Sequence, residues 1–241
     1  MIGYVRAAGW MALIAAALLL PLPSTAAPRV ALAIHAGYNE YAMTDVNQDL
    51  ITHSINEMIL GGSGFALEQI HGGIGFGAGL RFHASKRFSL ALDYDRLTAK
   101  SHLSLFNIDF NVKAPAHSVT GSAIYWFPSK TRVRGGVGSG GGYYWSNGEF
   151  GADTSGVGLT TPMKGSGGGI HAMGLFDYTI SPKVHFEANA GFRWAETKDL
   201  EIDGEKAYTS DGSAATLDWS GFMSRLGLTF YFGPGEPVPG I

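Results

Sequence analysis

The stretch VHFEANAGFRWA, residues 184–195, alternates without a break. Val184, Phe186, Ala188, Ala190, Phe192 and Trp194 fall on one parity, and His185, Glu187, Asn189, Gly191 and Arg193 on the other. Successive side chains of a β-strand point to opposite faces, so this segment reads as a strand with one apolar face and one charged face. The same period of two recurs at 30–41, 70–83, 88–96, 117–127, 132–145, 168–180 and 222–232. In 117–127 the polar face is interrupted by Ile124 and Trp126. Alternation alone does not separate a soluble sandwich from a membrane barrel, because both bury one face.

The connections separate them. Three are tight turns, ASKR at 84–87, PSKT at 128–131 and SPK at 181–183, with Pro128 and Pro182 in turn positions. Four are long, at about residues 42–68, 98–115, 147–165 and 198–216. Short and long connections alternate strictly, the pattern of a meander with short turns at one membrane face and long loops at the other. The expected fold is all-β, an eight-stranded antiparallel up-and-down transmembrane β-barrel with a short amphipathic helix in the first extracellular loop. That helix is read from TDVNQDLITHSINEMILGG. Thr44 or Asp45 caps it, Val46, Leu50, Ile51, Ile55, Met58 and Ile59 form an apolar stripe, and Gly61 and Gly62 end it. It is expected to close the barrel mouth as a lid, or else to lie on the outer leaflet.

Composition agrees with a membrane strand protein. Charged residues are 15% of the 241, against about 25% in soluble domains, and there are 35 glycines. With no cysteine, disulfide frameworks and thiolate chemistry are excluded. A net charge of −3 offers no basic field for nucleic acid. Residues 1–26 read as a signal peptide: Arg6, an apolar run from Trp10 to Leu20, then small residues at Ser24 and Ala26. The barrel is expected over 27–232, with a Pro/Gly-rich periplasmic tail at 233–241, and the localisation is the bacterial outer membrane.

The end of the last strand, RLGLTFYF, carries Arg225, Gly227, Phe230 and Phe232 in the order polar, Gly, aromatic, aromatic. It resembles the carboxy-terminal recognition signal of outer-membrane proteins. The mature chain as a whole resembles the small outer-membrane barrels: the transmembrane domain of outer membrane protein A, outer membrane proteins X and W, and the opacity-type adhesins. The resemblance implies that the barrel-assembly machinery reads the last strand. It also implies contact with outer membrane lipid and lipopolysaccharide, and a monomer. The tail is too short for the peptidoglycan-binding domain that outer membrane protein A carries.

The inward parity holds Arg81, Asp93, Asp95, Arg134, Asp177, Glu187, Arg193 and Arg225, four charges of each sign, with His35, His71, His83, His171 and His185. Buried charges need partners, and eight strands leave an interior that side chains can fill. The expected lumen is therefore plugged by an ion-pair network, with inward glycines such as Gly77 and Gly79 making room for it. The paired carboxylates Asp93 and Asp95 lack the second acid/His pair of an omptin-type protease. His102 and Ser104 lack the surroundings of a lipid A deacylase. The scattered histidines offer no ligand spacing for a metal. GVGSGG, residues 136–141, leads into YYW rather than a helix, so a dinucleotide site fails. The acidic loop around 196–211 reads as solvated, with divalent cations as a weaker alternative. No cofactor and no enzymatic activity are expected. The function read here is a structural or surface-interaction barrel. The alternatives are a carrier or channel for small hydrophobic molecules, similar to outer membrane protein W, or a lipid-modifying enzyme or protease.

Overall fold

The computed structural model describes residues 29–60, 65–105, 108–154 and 157–232. The expected signal peptide, the tail at 233–241 and the helix-ending Gly61 and Gly62 lie outside the described residues. The strand segments are β1 (Arg29–Glu40), β2 (Gly72–His83), β3 (Phe88–Leu97), β4 (Lys100–Leu105), β5 (Ile108–Lys113), β6 (Ala116–Trp126), β7 (Val133–Thr154), β8 (Val157–Ser181), β9 (Val184–Ile202), β10 (Glu205–Lys206), β11 (Leu217–Asp218) and β12 (Gly221–Phe232).

Eight of these close a ring of antiparallel neighbours, β1–β2–β3–β6–β7–β8–β9–β12, with β12 returning to β1. The closing pairs run from Val30↔Phe232 to Asn39↔Met223. Closure gives every barrel strand two partners, as a lipid environment demands of backbone N–H and C=O groups. It also explains why so apolar a strand stands last: without β12 both β1 and β9 would have open edges.

The alternation sorts as expected. Outward side chains such as Ile74, Leu92, Ile170, Phe192 and Leu226 are more than half exposed, while the inward Ala91, Asp93, His171, Arg193 and Arg225 beside them are buried. A continuous exposed apolar surface of this kind belongs against lipid. On β7 the outward Val133 and Tyr143 bound a stretch that, at about 3.4 Å per residue and a tilt of about 40°, spans about 26 Å, the height of a lipid-facing band. Aromatic rings mark both margins: Tyr125, Phe127, Tyr178 and Phe232 near the tight turns, Tyr94, Tyr143, Trp145 and Trp194 near the long loops.

Three of the long connections carry sheet, which corrects the sequence reading; in the fourth, β9 runs on to Ile202 and β10 folds back to pair with it. Residues 147–154 continue β7 and residues 157–165 continue β8, paired with each other out to Thr154↔Val157. Residues 98–115 hold the β4–β5 hairpin, and β5 adds to the far end of β7 through Val112↔Phe150 and Lys113↔Glu149. Above the membrane neither face of a strand meets lipid, so the apolar alternation fades and composition resembles loop. Parity also fails at the entry to β2. Ile70 and His71 precede the strand, so Ile70 is buried rather than lipid-facing, and His71 is exposed rather than luminal.

The first loop forms the expected helix, Val46–Ile59, but wound wide, with π-type bonding. Its last bond runs from the Leu60 amide to the Ile55 carbonyl. Buried Val46, Ile51, Ile55 and Leu60 recur at intervals of five, four and five, a period that suits the wider winding better than 3.6. Asp45 makes no cap. Its carboxylate instead accepts from the amide and hydroxyl of Thr216, at 2.8 and 2.9 Å, tying the helix start to the fourth loop. Leu50 is partly buried; Met58 and Ile59 lie on the helix, their side chains outside the described set.

Candidate functional site

The interior is filled in layers. Nearest the tight turns, Arg134 Nε donates to Asp177 at 3.1 Å, and His185 Nδ1 lies 3.0 Å from the same carboxylate. The Arg134 guanidinium also lies 4.1 Å from the centroid of Trp126, whose indole N–H donates to Ser89 at 2.9 Å. Tyr231 bridges His83, at 3.0 Å, and Arg134, at 3.4 Å. Ile124, Trp126, Met173, Leu175 and Met223 share one buried apolar cluster. The interruption of the polar parity at Ile124 and Trp126 was the sequence signal of that cluster.

The middle layer is ionic. Arg81 donates to Asp93 at 2.6 Å and to Glu187 at 3.2 Å. Arg225 lies 3.0 Å from Asp95, which also meets His35 at 2.7 Å. The two acids of the DYD motif are thus each held by a separate arginine, an arrangement for charge neutralisation rather than for a shared proton. His171 is held by Ser122 at 2.8 Å. The glycines opposite make this possible, and their neighbours are on the adjacent strand rather than across the lumen. A Cβ at Gly79 would stand 1.9 Å from Asp93 Oδ1, and one at Gly77 would stand 2.7 Å from His35 Nε2 and 2.8 Å from Asp95 Oδ1. Gly79→Val is therefore expected to cost on the order of 1–3 kcal/mol, as overpacking does, measured as a lower denaturation midpoint in detergent.

Seven of the eight sequence-predicted charges make ion pairs among the described residues; Arg193 does not. Its Nε donates to the Trp219 carbonyl at 2.9 Å and its Nη1 to Asn39 Oδ1 at 3.3 Å. Its guanidinium lies 5.7 Å from the Tyr41 ring and 5.9 Å from the Tyr144 ring. It forms the boundary between the ionic layer and an apolar cap. The alternation located Arg193 on the inward face, but its partners come from β1, β7 and the fourth loop, which no local pattern reveals.

The cap unites the mouth of the barrel with the loops. Val46, Ile51, Ile55 and Leu60 from the helix region pack in one cluster with Leu97, Phe110, Val112, Tyr144, Met163, Leu200, Leu217 and Trp219. Asn47 stitches the helix to the entry of β2, donating to the Ile70 carbonyl at 2.9 Å and accepting from its amide at 2.7 Å. The amide of Leu67 donates to Asn56 Oδ1 at 2.6 Å, and Asn56 Nδ2 returns to the Leu67 carbonyl at 3.0 Å. The helix is thus a lid in the mouth, not a surface helix on the leaflet. A small cavity between β1 and β12, lined in part by His35, Arg81, Glu187, Asn189 and Arg225, has a volume of about 10 Å³, room for about one water.

The remaining candidates lie outside the lumen. His102 and Ser104 sit on the exposed β4–β5 hairpin, 3.3 Å apart, and Ser104 donates to Asp109. The same His102 nitrogen faces both Ser104 and Asp109, the latter at 3.6 Å, so the ring relays nothing from acid to hydroxyl. Among the described residues no three His, Asp or Glu side chains converge as metal ligands. In the fourth loop Asp211 accepts from Thr209 and from the amide and hydroxyl of Ser213, bonds that hold its carboxyl at about 2, so this acid serves the turn.

A closed ring of eight antiparallel strands, with an apolar exterior, aromatic margins and a polar packed interior, has the architecture of an outer-membrane-type transmembrane β-barrel. No family model matches the chain, and no curated protein matches it. Among solved structures it is similar to a major outer membrane protein from Thermus thermophilus, at 11% identity over 84% of this chain and 99% of that one, TM-score 0.49. Neisserial surface protein A matches at 16% identity over 85% and 96%, TM-score 0.41. The outer membrane protein OprG from Pseudomonas aeruginosa matches at 10% over 85% and 94%, TM-score 0.43.

Proposed function

We propose that this chain is a sealed outer-membrane barrel with a structural or surface-interaction role, neither a pore nor an enzyme. The observation that carries the reading is the double closure: a lumen crossed by ion pairs, Arg81 with Asp93 and Glu187, Arg225 with Asp95 and Arg134 with Asp177, under a packed apolar cap. A conducting path requires continuous water, and both layers interrupt it. Among the described residues Asp93, Asp95, Asp177 and Glu187 are each held by an arginine, which supports a structural rather than a proton-transferring role for them.

Reconstitution in planar bilayers tests this. The sealed barrel gives no discrete single-channel steps in symmetric salt; regular steps would overturn the reading. The carrier alternative makes a different demand, that an apolar molecule co-purify and displace the cap. Extraction in mild detergent followed by organic-phase mass spectrometry is expected to find no stoichiometric ligand.

A further inference from the structure

The charges of this barrel are sorted by end. The three tight turns carry Lys86, Arg87, Lys130, Arg132 and Lys183, and no acid. At the far end the fourth loop alone holds Glu196, Asp199, Glu201, Asp203, Glu205 and Asp211 against Lys198 and Lys206. Cations there find acids: Lys206 meets Asp199 at 3.2 Å, and Lys113 meets Glu149 at 2.7 Å. Among the described residues none of the five turn cations makes an ion pair with a carboxylate. Lys86, Arg87, Lys130 and Lys183 are exposed, and Arg132 is half-buried.

All three turns are held by a serine. Ser85 Oγ accepts from the amides of Arg87 and Phe88 at 3.3 and 3.1 Å. Ser129 Oγ accepts from the Thr131 amide at 3.1 Å, and Ser181 Oγ from the amides of Lys183 and Val184 at 3.4 and 3.1 Å. The cations are therefore presented on fixed backbone. They also follow directly on the lipid-facing side chains Phe82, Phe127 and Ile180, which places them at the margin of the apolar band.

We infer that this rim docks the phosphodiester headgroups of anionic phospholipid in the periplasmic leaflet. Turns this short keep the charges at headgroup depth and cannot carry them to a distant polymer. The β2–β3, β6–β7 and β8–β9 turns are spread around the ring, so the cations meet several lipids of the annulus rather than converge on one ligand. Fixed positive charge against an anionic leaflet is favourable and salt-dependent. The acidic loops at the other end repel the same headgroups, so the two ends together fix the orientation of the barrel.

The test uses the full chain in nanodiscs of equal phosphatidylglycerol and phosphatidylcholine, extracted gently, with the retained lipids counted by mass spectrometry. Phosphatidylglycerol is expected to be enriched about tenfold over phosphatidylcholine at low salt and to approach parity at high salt. Replacing all five cations by glutamine is expected to bring the folded barrel, verified by its heat-modifiable gel migration, to parity at any salt. The salt series on the unaltered chain keeps the test open if that variant fails to fold. Parity in the unaltered chain at low salt would overturn the proposal, as would undiminished enrichment in the folded variant. Enrichment seen only after removal of residues 233–241 would also overturn it, by showing that the tail, with its one acid Glu236, occupies the rim.

Discussion

Arg81→Met is expected to destabilise the barrel by about 3–5 kcal/mol, the cost of leaving buried charge without its partner. Arg81 is 4% exposed and is the shared partner of Asp93 and Glu187, so its loss strands two carboxylates at once. Methionine keeps most of the volume, so the deficit is electrostatic rather than a cavity. Protonation of a stranded carboxylate relieves it, so the deficit should shrink as pH falls. Equilibrium unfolding by guanidinium in detergent, followed by tryptophan fluorescence, reads both effects. A variant within about 1 kcal/mol of the parent would mean that the Arg81 cluster contributes little, at the level of an exposed pair.

Trp219→Ala attacks the other closure. Trp219 is fully buried, meets Tyr41 edge-on at a centroid distance of 5.0 Å, and its carbonyl accepts from Arg193. Truncating a buried tryptophan costs about 3–5 kcal/mol. Here the loss falls on the cap, since the β1–β12 ring closes without that side chain. Hydrogen exchange should therefore accelerate at the Asn47 and Ile70 amides, while the barrel amides of β1 and β12 keep their protection. Uniform acceleration across both regions would show that cap and barrel unfold as one unit, contrary to the layered account.

How far the sequence could be read follows from where lipid is. Inside the membrane one parity must be apolar, so 184–194 and 222–232 declared their faces residue by residue. The tight turns declared themselves through their shortness, with Pro128 and Pro182 in turn positions. Outside the membrane that constraint lapses, and the strand stretches 147–154 and 157–165 looked like loop because no lipid imposes an apolar parity on them. Ile70 and His71 were misassigned for a related reason, since the period was extended two residues past the start of β2. That inward charges need partners was legible from the narrowness of an eight-stranded barrel. Which charge meets which was not, because Arg81 to Glu187 spans strands far apart in the chain. The apolar helix was visible as a stripe; its wide winding was not, and the five–four–five spacing of its buried residues was the available hint.

Because the chain has no cysteine, single cysteines can be placed at will along β9 and spin-labelled. Labels at 186, 188, 190 and 192 are predicted to collide readily with oxygen dissolved in the bilayer. Labels at 185, 187, 189 and 193 are predicted to be shielded both from oxygen and from a water-soluble nickel reagent. Nickel access at the second set would mean an open lumen, and loss of the alternation altogether would mean that lipid does not surround these strands.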